Sequence, residues 1–182
     1  MNKAQQAFHF SSATQDWETP AYVFDALRDE FGFTVDAAAS CVNAKCERFW
    51  TEANNGLAQD WSDEVVWLNP PYRDAEEWMR KAWHESRRGA TVVCLVPART
   101  DSKWWHRYAM KGEIRLFTQR LKFKKGGKRS DVAPFPSAVV VFRPPEFKLT
   151  TTDIRMPNIA LTNTDAGQCA AGETCAVNKE TP

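Results

Sequence analysis

The residues best equipped for chemistry in this chain stand four in a row, Asn69-Pro70-Pro71-Tyr72. The Asn side-chain oxygen and the backbone carbonyl of the first proline are two hydrogen-bond acceptors set close together. Consecutive prolines fix φ and bias the residues before them toward extended backbone, so the Pro70 carbonyl is held rigidly. Such a pair suits a planar exocyclic amine, whose lone pair is delocalised into its ring and is a poor nucleophile. Accepting hydrogen bonds from both N–H groups draws the nitrogen toward tetrahedral geometry and frees the lone pair, a form of preorganised transition-state stabilisation. Methyl transfer to N6 of adenine is the chemistry this points to. An adenine inside a duplex is out of reach, so the base must be extruded, and Tyr72 offers a flat face on which it can stack. The same motif would serve an RNA adenine, a cytosine N4 or a protein glutamine, because each presents a similar sp² nitrogen. Asn and Pro also favour plain turns, and Asn-Pro-x-Tyr fits a peptide ligand in an accessible segment. The buried strand that leads into the motif argues against the ligand.

The elements that must position this motif are legible from hydrophobic period. Val65–Leu68 reads as a buried strand running directly into Asn69. Residues 75–88 read as a helix carrying Trp78, Ala82 and Trp83 on one side and ended by Gly89, and 90–96 as another buried strand stopped by Pro97. Upstream, Thr19 suits a helix N-cap and Pro20 the first helical position; Val23, Phe24, Leu27 and Phe31 follow at helical spacing, and Gly32 is placed to stop the helix. Residues 33–36 predict a short strand ending in Asp36, followed by a small-residue loop or short helix over 37–45. A helix starting near Asp101-Ser102 carries Trp104, Trp105 and Tyr108, and residues 113–117 and 138–142 are further strands. Apolar strands alternating with helices predict the α/β class, a parallel-rich sheet covered by helices. An open sheet of that kind binds ligands at the carboxyl ends of its strands, where the motif sits.

With 182 residues, 43% hydrophobic and 26% charged, the chain suits one core with flexible ends: an arm over 1–15, a domain over 16–145 and a poorly ordered tail over 146–182. A net charge of +1 announces no global polyanion binder, so any such surface must be local. The odd count of five cysteines and three scattered histidines, with no signal-like opening segment, predict a reduced, cytoplasmic chain without structural metal. Cys94 reads as a core thiol. No apolar run is long enough to span a membrane. The eight tryptophans can stack on bases, but large aromatics more often fill cores.

Several blocks of the chain carry a family signature: Asp16-Trp17-Glu18-Thr19-Pro20; residues 33–40 with Asn43-Ala44-Lys45-Cys46; Gly56-Leu57 with Asp60-Trp61; and residues 67–72. Residues 96–101 and 133–138 complete it. Over residues 16–144 the chain resembles the short phage-type DNA N6-adenine methyltransferases, the phage Dam family. The resemblance implies an abbreviated Rossmann-like fold that uses S-adenosylmethionine and acts on DNA adenine. It implies that Asn69, Pro70, Pro71 and Tyr72 are catalytic, and that Thr19, Pro20, Asp36, Ala37, Ala38 and Ser40 serve the cofactor. On local grounds Asp36 either serves the cofactor, by accepting hydrogen bonds from its amino group or attracting its positive charge, or caps the segment after it. In place of the glycine-rich turn usual in methyltransferases stands Ala-Ala-Ala-Ser. Only about thirty residues separate Asp36 from Asn69, too few for two intervening βα units, so the sheet is expected to be abbreviated.

Between residues 111 and 129 lie Lys111, Arg115, Arg120, Lys122, Lys124, Lys125, Lys128 and Arg129 against a single acid, Glu113. A basic loop with a Gly126-Gly127 tip suits DNA phosphates, and Arg99 follows a strand end, where it would line the cleft. The candidate DNA-binding set is therefore Arg99, Arg120, Lys122, Lys124, Lys125, Lys128 and Arg129. The alternative is a solvated lysine-rich loop. Asp101 either lines the cleft beside Arg99 or caps the next helix, and Phe123 and Phe135 read as core. The expected partner is double-stranded DNA, with no membrane and no obligate protein. A non-catalytic DNA-binding module is the rival class, and cofactor binding discriminates the two.

Overall fold

The structure, a computed structural model, describes residues 18–125, 128–145 and 152–154. A helix, α1 (Ala21–Phe31), leads into a two-residue strand, β1 (Val35–Asp36). After a long connection come β2 (Val65–Leu68), α2 (Ala75–Ser86), β3 (Thr91–Pro97) and the short α3 (Lys103–Arg107). Then follow β4 (Glu113–Phe117), β5 (Lys122–Lys125), β6 (Lys128–Val132), β7 (Ser137–Phe142) and β8 (Thr152–Ile154).

Six strands form one sheet in the order β1-β2-β3-β7-β4-β8, and β5 and β6 form a separate hairpin. β1, β2 and β3 are parallel; β7 runs against both β3 and β4, so β4 points the same way as the first three. The carboxyl ends of β1 to β4 therefore share one edge of the sheet with the start of β7, where Pro97 pairs with Ser137 and Leu116 with Ala138. This is the α/β architecture expected, with the single antiparallel strand β7 inserted among parallel ones.

Both faces of the sheet are buried, which is why its strands read as continuous apolar runs. Val66, Leu68, Val92, Cys94, Val96, Val140 and Phe142 face a core shared with Met79 and Ala82 of α2 and with Trp104 and Trp105. The alternate residues Trp67, Val93, Leu95, Val139 and Val141 face a second core with Val23, Phe24 and Leu27 of α1. Phe24 meets Trp67 edge-on with ring centroids 5.4 Å apart. The far end of α1 is tied down by charge. Arg115 reaches Glu30 and Glu113, Arg143 also bonds Glu113, and both guanidiniums lie over the Phe31 ring at 5.2 and 5.4 Å. Burial pushes the Glu113 carboxyl up, but hydrogen bonds from Arg115 and Arg143 hold it below its ordinary value. Gly32 ends α1 at φ 65°, and its N–H donates to the Arg28 carbonyl at 2.8 Å.

Three details differ from the sequence expectation. The N-cap of α1 is Pro20, and no side chain caps the helix; the Thr19 hydroxyl is engaged elsewhere. The basic stretch expected as a loop is built on the β5–β6 hairpin, whose base residues Leu121, Phe123 and Ala133 are buried in the α1-side core. Its Gly126-Gly127 tip lies outside the described residues. The arm over 1–15 and most of the tail over 146–182 also lie outside them, but within that tail 152–154 pair with β4 as an outer strand.

Phe24→Ala, which empties the contact seating α1 on β2, is expected to cost about 3–5 kcal/mol in urea unfolding. A loss under about 1 kcal/mol would mean that α1 is held by its charged end rather than by this face.

Candidate active site

β1 and β2 end side by side, and the strand pairing continues one residue further where the Ala37 N–H donates to the Trp67 carbonyl at 2.9 Å. Past that point the two chains diverge and a cleft of about 860 Å³ opens. Its walls are the loop over 37–45, the segment 50–57 and the start of α2. Residues 48–50 return parallel to β1: the Asp36 N–H donates to the Arg48 carbonyl at 3.0 Å, and the Trp50 N–H to that of Asp36 at 2.9 Å. The loop between is thereby closed at both ends by backbone hydrogen bonds.

One wall is aromatic. Trp50, Trp61 and Trp78 form a column with centroid separations of 6.2 and 6.3 Å and rings 18° and 27° from parallel. Trp61 is fully buried, while Trp50 and Trp78 line the cleft. The Trp61 indole donates to the Gly56 carbonyl at 2.9 Å, and its backbone N–H to Glu85 of α2. Glu85 is buried and also accepts from Lys81 and Arg88, which offset the burial that would otherwise raise its pKa and hold its carboxyl below the ordinary value. Gly56 cannot carry a side chain here, because a Cβ would lie 2.1 Å from the Ala37 carbonyl oxygen.

Asp36, 3% exposed, sits at the floor. Its two oxygens accept the backbone N–H groups of Ala38 at 3.3 Å and Lys45 at 3.0 Å, so it caps the loop that follows, one of the two roles open from sequence. Burial pushes its carboxyl up to about 6 against the pull of those two donors. Ser40 is held by the Asn43 side chain, which accepts its N–H at 2.7 Å, and its own buried hydroxyl has no hydrogen-bond partner among the described residues.

Asn69 leaves the end of β2 and lines the cleft, and its Nδ2 donates to Thr19 Oγ1 at 3.3 Å. Thr19, Asp36, Ala37, Ala38 and Ser40 all border the same space, as does Pro71. Pro20 and Pro70 are buried and do not line it. Tyr72 also lies off the lining, its ring packed edge-on against Phe135 at 5.3 Å and its hydroxyl buried without a hydrogen-bond partner among the described residues; burial pushes that phenol's pKa well up.

The basic residues divide. Lys111 is exposed and placed over the Trp83 ring at 3.8 Å, and Arg115 is paired with Glu30 and Glu113. Arg120 donates to the carbonyls of Ala133 and Pro134, which braces the hairpin base. Arg99 is half-buried just past the end of β3, on the cleft's edge of the sheet. Lys122 is exposed; Lys124, Lys125, Lys128 and Arg129 stand on the hairpin strands, and their side chains lie outside the described part. Asp101 is exposed, and Ser102 takes the N-cap of α3 instead.

An asparagine at a strand's carboxyl end, bordering a cleft walled by indoles and small residues, is matched by a family model. The model described as DNA N-6-adenine-methyltransferase (Dam) matches residues 9–166. The chain belongs to that family. Its members methylate N6 of adenine in DNA. The chain is 34% identical over 91 residues to a DNA N-6-adenine-methyltransferase of Escherichia phage T1, a stretch covering 49% of this chain and 38% of that one. It is 28% identical over 135 residues to a DNA N-6-adenine-methyltransferase of Haemophilus phage HP1, covering 70% and 78%. A putative methyltransferase, YfdM, of Escherichia coli K12 is 34% identical over 73 residues, 36% of this chain and 80% of that one.

For a Dam-family chain, the residues that sequence reasoning missed are Trp50, Gly56, Leu57 and Trp78. Gly56-Leu57 and Asp60-Trp61 stand in the family signature, which was the available signal. Their place at the cleft comes from the fold: backbone bonds tie Trp50 to Asp36 and Ala39, the Trp61 indole holds Gly56, and Trp78 stands on α2.

Gly56→Ala is expected to lower stability by about 1–3 kcal/mol, by the usual cost of overpacking. It should also weaken binding of the methyl donor about tenfold or more, followed by tryptophan quenching, because the Ala37 wall must move. Wild-type affinity would mean that this wall does not touch the ligand. Asp36 releases its proton near 6 when folded and near an ordinary 3.8 when unfolded. The folded chain thus holds the proton more tightly, so this group favours folding most below 3.8 and that contribution is lost as the pH rises through about 6. Carboxyl NMR titration of Asp36 should show the raised midpoint; a midpoint below 4 would contradict it.

Proposed function

We propose that this chain transfers a methyl group from S-adenosylmethionine to N6 of an adenine extruded from double-stranded DNA. The observation that carries the proposal is Asn69: a carboxamide at the carboxyl end of β2, on the border of the cleft, with its amine end bonded to Thr19. The cleft suits a sulfonium nucleoside cofactor. About 860 Å³ is ample for a molecule of that size, the indoles of Trp50 and Trp78 suit a planar base, and the unpartnered Ser40 hydroxyl suits a polar edge. The buried carboxylate of Asp36 adds negative charge near the floor.

S-adenosylmethionine, held between Trp50, Trp78, Ser40 and the Asp36 floor, would supply an electrophilic methyl group to N6. The chain's own part is to hold N6. Asn69 Oδ1 and the Pro70 carbonyl accept its two N–H groups, which localises the lone pair on nitrogen. The acidic proton of the methylated N6 passes to water, while the two acceptors keep their hydrogen bonds until it leaves. Pro71 fixes the backbone that aims the Pro70 carbonyl. Tyr72 supplies the face on which the extruded base stacks, with Phe135 bracing its ring.

Arg99 follows β3 and the β5–β6 hairpin follows β4, strands whose ends share the sheet edge with the end of β2, and we assign Arg99, Arg120, Lys122, Lys124, Lys125, Lys128 and Arg129 to DNA contact, Arg120 also bracing the hairpin base. Among the described residues no helix is long and apolar enough to cross a membrane. The substrate places the enzyme in the cytoplasm of a bacterial or phage-infected cell.

Labelled methyl transfer to unmethylated duplex DNA, with nucleoside analysis, tests the proposal. N6-methyladenine is the expected product, and Asn69→Ala should lower kcat by about 10²–10³-fold, as removal of one oriented polar group does. Label on cytosine, RNA or protein would reassign the substrate, and wild-type turnover by Asn69→Ala would remove Asn69 from the mechanism.

A further inference from the structure

We infer that Thr19 sets which way round the Asn69 carboxamide faces and is thereby a positioning residue for methyl transfer, an inference that rests on the role proposed for Asn69. A carboxamide presents an acceptor at one end and a donor at the other, and a half-turn of its last torsion exchanges them. Only one orientation serves. With Oδ1 toward the substrate, the group accepts an N6 proton; reversed, it sets N–H against N–H. The Asn69-Pro70-Pro71 backbone holds the Cα and the carbonyls but does not distinguish the two ends of the side chain. A hydroxyl can accept from Nδ2 or donate to Oδ1, and in the structure the Thr19 hydroxyl takes the amine end. At 3.3 Å from Nδ2 it accepts the amine, turning Oδ1 the other way.

Three features make Thr19 a fixed point. It is 3% exposed. It precedes Pro20, which restricts its backbone to extended conformations, and its β-branched side chain is stiff at χ1. It is also carried by α1, which Phe24 seats on Trp67, two residues before Asn69. The residue's position invites a different use, because a threonine at the head of a helix ordinarily caps it. Here no side chain caps α1, and the hydroxyl is turned instead to a residue 50 positions away in the chain. Thr19 also borders the cleft, so a direct contact with the cofactor is the competing role, and the two differ in what they change.

The test compares Thr19→Val, which keeps the shape and removes the acceptor, with Thr19→Ser, which keeps the acceptor. Single-turnover methylation of duplex DNA at saturating S-adenosylmethionine gives the rate constant, tryptophan quenching gives the Kd for S-adenosylmethionine, and thermal unfolding checks integrity. Thr19→Val should lose about tenfold or more in rate constant with little change in Kd, and Thr19→Ser should stay near wild type. Should Thr19→Val fail to fold, Thr19→Ala takes its place against the same serine variant. A wild-type rate for Thr19→Val, or equal losses for Val and Ser, overturns the inference. A loss confined to Kd also overturns it and makes Thr19 a cofactor ligand. A wild-type chain that binds S-adenosylmethionine but methylates no DNA fails the proposed function itself, a result distinct from all of these.

Discussion

Everything at the cleft depends on β1 and β2 running parallel and stopping together. Pairing of Val35 with Val66 and of Asp36 with Trp67 sets the register, and the Ala37 N–H extends it by one bond before the chains part. A one-residue slip would turn Trp67 from the α1-side core to the α2 side and place Asn69 on the wrong face. The burial of both sheet faces forbids that slip, because each alternate residue belongs to a different packed cluster. The rigidity of the site is thus inherited from apolar residues that take no part in its chemistry.

The connection from β1 to β2 shows how a short chain builds a binding wall without the usual crossover units. Its one regular piece among the described residues is a single helical turn over Gly56–Ala58. Trp61 does the work of a packed helix: fully buried between two other indoles, it anchors the segment to α2 through Glu85. Close backbone contact replaces side-chain bulk at Gly56, where the wall meets the loop after β1.

Much of this was legible in the sequence, and the gaps have physical causes. Val65–Leu68, Thr91–Pro97 and Ser137–Phe142 announce themselves because strands buried on both faces need unbroken apolar runs. The hairpin is fainter, since its apolar-charged alternation runs only over Leu121-Lys122-Phe123-Lys124, too short to stand out in a lysine-rich stretch. Thr19 was misplaced because local preference points to a cap, while its partner lies far along the chain. The basic count over 111–129 overstated the available charge at Arg115 for a similar reason, because its pairing with Glu30 and Glu113 is visible only after folding. The tetrapeptide itself was plain, but the packing of Tyr72 against Phe135 depends on a loop more than sixty positions later.

The tryptophan column has an optical consequence. Three indoles 6.2 and 6.3 Å apart and within 27° of parallel couple their electronic transitions, so their near-ultraviolet circular dichroism belongs to the stack as a whole. The two outer rings border the cleft while the middle one is sealed inside. A planar molecule that settles against either outer ring lengthens that stack, and the chain therefore carries its own chromophore for the state of its cleft.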